Sequence, residues 1–547
     1  MPTYTYPGVY IQEIPSGVHT ITGVATSIAA FVGWAAQGPT NQATLVQSWS
    51  DFANQFGGLD SRSYLGYAVN QFFANGGQQA YIIRLVSDGS GGNTAAATAQ
   101  VEITDITFDS SASPSTVTIT SGAVGGLTLS AASPGNWGNN YVIQIQPRSD
   151  DYTRFSLSVV YVDPTTSTQT IVETFPNLSV SSTDSQARYV VNVVNEQSRL
   201  VTAAMGTPAL TLHNNPSVPT QPTPSTPASI GLNHTSTGND GTPLTPSTSP
   251  TTPGPFETAL NSNPSASGGG IHFLDTVSIF NLLCVPGEIV RSTISDLQAY
   301  CFKERAFLLV DSESTDTFSS LQNGPVGITG TNAINSAFYF PWINQFDPQL
   351  NSTRAFPPCG FVAGLYAATD TSRGVWKAPA GIDASLSGES GLAVQLTDAQ
   401  NGTLNIQAIN CLRNFPVYGD VVWGARTLRG NDQVGSEWKY VPIRRVALFL
   451  ESSLYDGTQW VVFEPNDETL WGQIRMNIGA FMQGLFLQGA FQGTSPQQAY
   501  FVKCDAENNP QSSIDQGIVN ILVGFAPLFP AEFVVIQIQQ IAGQLQA

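Results

Sequence analysis

Residues 357–381 read "PPCGFVAGLYAATDTSRGVWKAPAG". The segment gathers Cys359, Asp370, Ser372, Arg373 and Lys377 among small residues and prolines, which is the look of an active-site loop. A hydrolase built on it would need a nucleophile, a base within hydrogen-bond reach and an acid to orient that base. Asp311, at the end of the apolar run "FLLVDS", is the natural acid, with Ser372 or Ser390 and His272 as partners. The pattern fails on two counts. "GESG" at 388–391 is followed by Leu392 where a nucleophile elbow needs glycine. No histidine follows His272, and His213 and His234 lie in Pro/Thr-rich sequence that holds nothing in place. The reading is therefore non-catalytic.

Composition points the same way. A chain of 547 residues predicts about three or four domains. Charged residues are 11% of it, against roughly 25% in ordinary soluble domains. The abundant Gln, Asn, Ser and Thr are then expected to face other protein. The net charge of −19, with no basic stripe, argues against nucleic acid and leaves room for a basic partner surface. Cys284, Cys301, Cys359, Cys411 and Cys504 are odd in number and far apart, so buried thiols are expected rather than zinc or disulfides. No acid cluster has metal-ligand spacing and no phosphate loop follows a strand, so neither a metal nor a cofactor is predicted. The pairs and clusters Arg444–Arg445 and Arg426, Arg429, Lys439 read either as contacts to an acidic partner or as internal salt bridges. No basic residue precedes Arg62, and the apolar stretch from Gly517 is broken by Asn520, two prolines and Glu532. Neither a signal peptide nor a membrane span is predicted, which suggests assembly in the cytoplasm.

Along the chain, 1–20 is a short β-prone arm between prolines. Residues 21–90 alternate strand and helix: a buried strand in "TSIAAFVGWA", a helix from Ser48 or Ser50, a helix ending at Gly76–Gly77, then the strand "QAYIIRLV". Residues 91–205 alternate Thr, Ser and Val as a β-rich insertion. Residues 206–256, dense in Pro, Thr and Ser, predict a surface linker. The α/β pattern resumes over 257–400. In 401–530, "WVVFEPND" reads as a strand and the run after Asp467 as a helix, with further strands at "QQAYFVKCD" and "GIVNILVGFAP". The stretch 531–547 alternates as a last strand. Two terminal strands without local partners invite pairing with other copies.

The opening segment closely resembles the signature of contractile tail sheath proteins. "YPGVYIQEIPSG", "SPGNWGNNYVIQI", "NLLCVPG", "WKYVPIRRVALFLESSL" and "PLFPAEFVVIQIQ" resemble the family's other motifs in order. The resemblance implies an α/β multidomain fold. Its parts are a tube-proximal C-terminal domain, a subtilisin-like but non-catalytic central domain, an outer β-rich insertion and extended terminal arms. It implies a structural subunit whose hexameric rings stack helically around an inner tube and switch from an extended to a contracted state. A non-contractile tube or capsid component is the alternative. Implied partners are further copies of the chain, the tube protein, and baseplate and terminator proteins. The arm strands would be Val9, Tyr10, Ile11, Gln12, Glu13 and Ile14, with Phe533, Val534, Val535, Ile536, Gln537 and Ile538. Tube-facing candidates are Arg444, Arg445 and Arg475. Asp370, Arg373, Gly374, Lys377 and Pro379 would form an internal scaffold around a tight crossing.

Overall fold

The run Ala29–Trp34 (β1) is buried at every position, as a strand covered on both faces must be. A computed structural model describes residues 19–109, 116–122, 125–148, 151, 153–215, 227–262 and 269–537. In it β1 is an inner strand of an eight-stranded sheet with Thr44–Val46 (β2), Ala80–Leu85 (β3), Leu282–Cys284 (β4), Phe307–Asp311 (β5), Ser336–Phe340 (β6), Ile409–Phe415 (β7) and Gly419–Val422 (β8). The order is β2-β3-β1-β4-β5-β6-β7-β8. The inner neighbours pair in parallel, and antiparallel β2 and β8 close the two edges.

Helices cover both faces. Trp49–Phe56 (α1) begins at Ser48, whose side chain accepts from the Asp51 N–H, and ends at Gly57 in the left-handed region. With Leu65–Ala74 (α2) it buries Phe52, Phe56 and Phe72 against Phe31 on one face. Arg291–Lys303 (α3) buries Leu297 and Cys301 against Val32 and Phe338 on the other. All five cysteines are buried free thiols, as expected.

A separate β-rich core gathers around Val101, Leu129, Ile143 and Leu157 and extends to Leu210 and Leu232. The valine-rich stretch at 190–197 departs from the β pattern and is a helix. Val190, Val193 and Val194 share one face, and packing against the insertion overrides their β propensity.

The Pro/Thr/Ser segment is more structured than its composition predicts. Thr211–Asn215 adds in parallel to Gln100–Asp109, and Ala228–Gly231 pairs with Tyr141–Pro147. Leu210, Leu232, Leu244 and Phe256 are buried. Proline excludes helix interiors and central strands, but edge pairing and isolated apolar anchors remain open to such a chain.

The central sheet also runs past residue 400. The parallel register Phe338↔Ile409 carries β7 and β8 into it, so the unit beyond begins after them. That unit holds Val441–Gly457 (α5), Glu468–Leu487 (α6) and a hairpin of Tyr500–Lys503 (β9) with Leu522–Phe525 (β10). The α6 helix starts at Asp467, whose carboxylate accepts from the Leu470 N–H, and buries Leu470, Ile474, Ile478 and Leu485. "WVVFEPND" is not a strand: Gln459–Val461 is a 3-10 turn, and Pro465 leads into the Asp467 cap.

Candidate inter-subunit surfaces and their scaffold

The signature segment folds as a helix, Cys359–Arg373 (α4), followed by a tight crossing. Its spacing of small residues explains why. Gly360 and Gly364 are one turn apart and face α2 so closely that backbone fills the place of a side chain. A Cβ on Gly360 would lie 2.6 Å from the Ala68 carbonyl oxygen, and one on Gly364 2.6 Å from that of Phe72. Only glycine permits this helix–helix approach.

Buried carboxylates hold α4 at both ends. Asp311 accepts from the N–H of Cys359 at 2.8 Å and from that of Gly287 at 3.0 Å. It thereby satisfies a donor in the first turn of α4. Burial pushes its carboxyl up to about 6 against the pull of those two N–H groups, so it is ionised at neutral pH. At the other end, Asp370 is gripped by Arg445 of α5. Gly374 then turns the chain at φ 90°, where a side chain would strike the Trp376 ring. Lys377 Nζ donates to the carbonyls of Ala378 and Ala380, and Pro379 is buried. Arg373 stands outward, 60% exposed and 3.8 Å from Asp383.

The enzyme-like constellation does not assemble. His272 pairs with Asp275 at 3.1 Å, the Ser372 hydroxyl donates to the Ala368 carbonyl of its own helix, and the Ser390 N–H donates to Asn344. At the carboxyl ends of β1 and β3, where open α/β sheets form ligand crevices, the Arg84 guanidinium fills the space. It donates to the carbonyls of Ala35, Ala36, Gly38 and Pro134. Nothing in the sequence around Arg84 marked it for this role, because its partners are backbone atoms set by the fold.

Two of the three arginines read as exposed on their helices are buried. Arg445 is 4% and Arg444 5% exposed. Arg444 donates to Asn335 at 2.6 Å and pairs with Glu451, so α5 turns both arginines inward. Arg475 is about a third exposed, bridges to Glu468 at 2.6 Å and donates to the Cys504 carbonyl. Arg426 and Lys439 also resolve as internal partners, both meeting Asp432.

The expected arms are described only in part. Residues 9–14 and Ile538 lie outside the described residues. Phe533, Val534, Val535 and Ile536 are 75–80% exposed and, with Gln537, pair with no strand among the described residues. Immediately before them Glu532 is held fast by Arg426, Asn405 and Tyr440. This root lies in a groove of about 1050 Å³ between the end of the signature and the β7–β8 edge, lined among others by Trp376, Trp423 and Phe529. The β9–β10 hairpin is a two-stranded sheet with free outer edges among the described residues. It exposes Phe501 and Leu522.

Comparison with known proteins gives these surfaces a family. Residues 271–428 match the phage tail sheath protein central domain, and residues 433–541 the phage tail sheath C-terminal domain. The tail sheath protein of Vibrio phage KVP40 is 28% identical over 221 residues, 38% of this chain and 32% of that protein. A prophage major tail sheath protein of Pseudomonas aeruginosa strain UCBPP-PA14 is 26% identical over 270 residues, 47% of this chain and 65% of that protein. The matches thus span about a third and just under two thirds of these relatives. The chain's fold matches the helical sheath of the anti-feeding prophage in its contracted state, with a TM-score of 0.56 at 22% identity over 98% of this chain and 100% of that one. The matched family is structural and not enzymatic. On these matches residues 271–428 and 433–541 are similar to the central and C-terminal domains of phage tail sheath proteins.

Proposed function

We propose that the chain is the repeating subunit of a contractile sheath. Copies would assemble in the cytoplasm as hexameric rings stacked helically around an inner tube, between a baseplate and a terminator. The rings would be linked by terminal strands exchanged between copies. Contraction would be a rigid-body change of contacts between bodies, from a metastable extended lattice to a wider, shorter one.

The carrying observation is the run Phe533 to Ile536, exposed on every side chain. Burying each such side chain contributes about 1.5–3 kcal/mol, so the run is strongly favoured to find a partner. Its own hairpin is poorly placed to be that partner. After β10 the chain leaves through Pro527 and is pinned at Glu532 to the central body. A strand reaching the open hairpin of another copy satisfies both surfaces, by main-chain pairing along an edge. The bodies so linked are stiffened by internal ion pairs and close helix packing, as rigid-body switching requires. For the tube, Arg475 on α6 is the proposed contact, since Arg444 and Arg445 are used internally.

Negative-stain electron microscopy of the purified chain, alone and with its tube protein, tests this. Hollow tubes from the full chain and single particles from a chain lacking residues 533–547 or 1–15 are expected. A lattice of one fixed diameter, unchanged by urea or by removal of the tube, would favour a non-contractile tube or capsid component instead.

A further inference from the structure

Glu532 carries four hydrogen bonds on one carboxylate. Oε1 accepts from Arg426 Nε at 2.7 Å and from Asn405 Nδ2 at 2.7 Å. Oε2 accepts from Arg426 Nη2 at 2.7 Å and from the Tyr440 hydroxyl at 3.0 Å. That saturates the group, and the two-pronged guanidinium contact is the strongest form such a pair takes. Burial raises the Glu532 carboxyl, but these donors outweigh it and hold it below the ordinary glutamate range.

The bonds continue inward. The Arg426 side chain is 1% exposed, and its Nη1 reaches Asp432, which Lys439 also holds. The Arg426 N–H donates to Asn410 Oδ1 at 2.7 Å, and its carbonyl accepts from Asn410 Nδ2 at 2.8 Å. Asn410 is fully buried in β7. One continuous set of polar contacts therefore runs from the last anchored residue of the chain into the central sheet. The Phe529 ring adds an edge contact to Tyr440.

One residue further on, the side chains turn out to solvent. Phe533 is 75% exposed and the next three side chains 80%. A segment that only finished the fold would fray gradually. Here a saturated, partly buried carboxylate is followed at once by an exposed apolar run that pairs with no strand among the described residues.

We propose that the Arg426–Glu532 pair is the fixed root of the C-terminal linkage, so that pull along the strand exchanged with a second copy of this chain enters the eight-stranded sheet. This rests on the sheath reading above. The pivot of the arm then lies at or beyond Phe533. The root of the arm moves with the central body and not with the β9–β10 hairpin.

The test uses the full chain with Glu532→Gln, close in size but uncharged, and Arg426→Lys, which keeps the charge and loses the fork. Hydrogen exchange on unassembled protein should speed up over residues 526–532 by roughly tenfold or more, the scale of a lost charge-assisted bond. Exchange in β1, β5 and β6 should be unchanged. Assembled with the tube protein, both variants should form sheaths that break into shorter pieces under shear that leaves wild-type sheaths whole. Equal exchange in variant and wild type would overturn the anchor. Faster exchange with undiminished shear resistance would overturn its mechanical role. If wild-type protein forms no tubes, the sheath reading falls and the linkage with it, whatever the exchange data show of the clamp.

Discussion

Arg445 and Asp370 meet as a two-pronged ion pair, Nη1 to Oδ1 at 2.8 Å and Nη2 to Oδ2 at 2.6 Å, with each side chain 3% exposed. The pair ties the last turn of α4 to α5, and Arg445 also donates to the Thr26 carbonyl and lies 4.7 Å from the Tyr366 ring centre. It is the joint between the central sheet and the helices that follow it. Arg445→Met leaves a buried carboxylate alone, and breaking such a pair costs about 3–5 kcal/mol. Urea unfolding should show that loss. The double variant with Asp370→Asn should lose less than the two single variants summed, because no uncompensated charge remains.

Gly360→Ala and Gly364→Ala test the α2–α4 approach. The new Cβ on Gly360 meets backbone at Ala68, and that on Gly364 meets backbone at Phe72 and the Asn75 Cβ at 2.6 Å. Backbone yields poorly, so each variant should lose about 1–3 kcal/mol, the usual cost of overpacking. Gly402→Ala, inside a helix and with open space around its Cβ, is the control and should gain about 0.5–1 kcal/mol in the same melt.

Asp311→Asn distinguishes a scaffold carboxylate from a catalytic one. Both its oxygens accept from N–H groups, and the amide can offer only one oxygen. The other N–H, of Gly287 or Cys359, is left facing a donor in a buried site, at a cost of about 1–3 kcal/mol. Thermal melts at neutral pH should shift down accordingly.

The buried carboxyls of Glu257 and Glu288 predict a pH dependence. Backbone N–H groups of Ser247 and Gly254 hold Glu257, and that of Val290 holds one oxygen of Glu288. Burial first, then the neighbouring Glu257 carboxylate, pushes Glu288 up to about 8 from an ordinary 4.5. Between those values the folded chain keeps a proton that the unfolded chain releases, so folding binds a proton. The stability this group supplies is complete below pH 4.5 and is lost as pH rises through 8, at up to about 1.4 kcal/mol per pH unit. Glu288→Gln should flatten that slope in urea midpoints measured from pH 5 to 8.5. An unchanged slope would show that Glu288 titrates normally.

Much of the architecture is legible in local sequence. The all-buried run at β1, the Ser48 and Asp467 helix caps and the apolar spacing of α6 depend on neighbours within a few residues, and each element formed where it was expected. The broken nucleophile elbow at 388–392 and the single candidate base, His272, likewise argued against a hydrolase before coordinates. Where expectation and structure part, the deciding contact spans a long sequence distance. Prolines at 206–256 did not prevent pairing at sheet edges. Residues 409–422 joined the central sheet through β6. For Arg444 and Arg445 the sequence left partner contacts and internal salt bridges both open, because their partners, Asn335 and Asp370, are 109 and 75 residues away.

The sequence by itself determined the family signature and the run of strands and helices, because periodicity, capping and turn chemistry act over a few residues. Only the tertiary structure decided which charges are internal and where the C-terminal segment is anchored. A buried ion pair or a saturated carboxylate exists only when the chain folds both partners to one place, out of water.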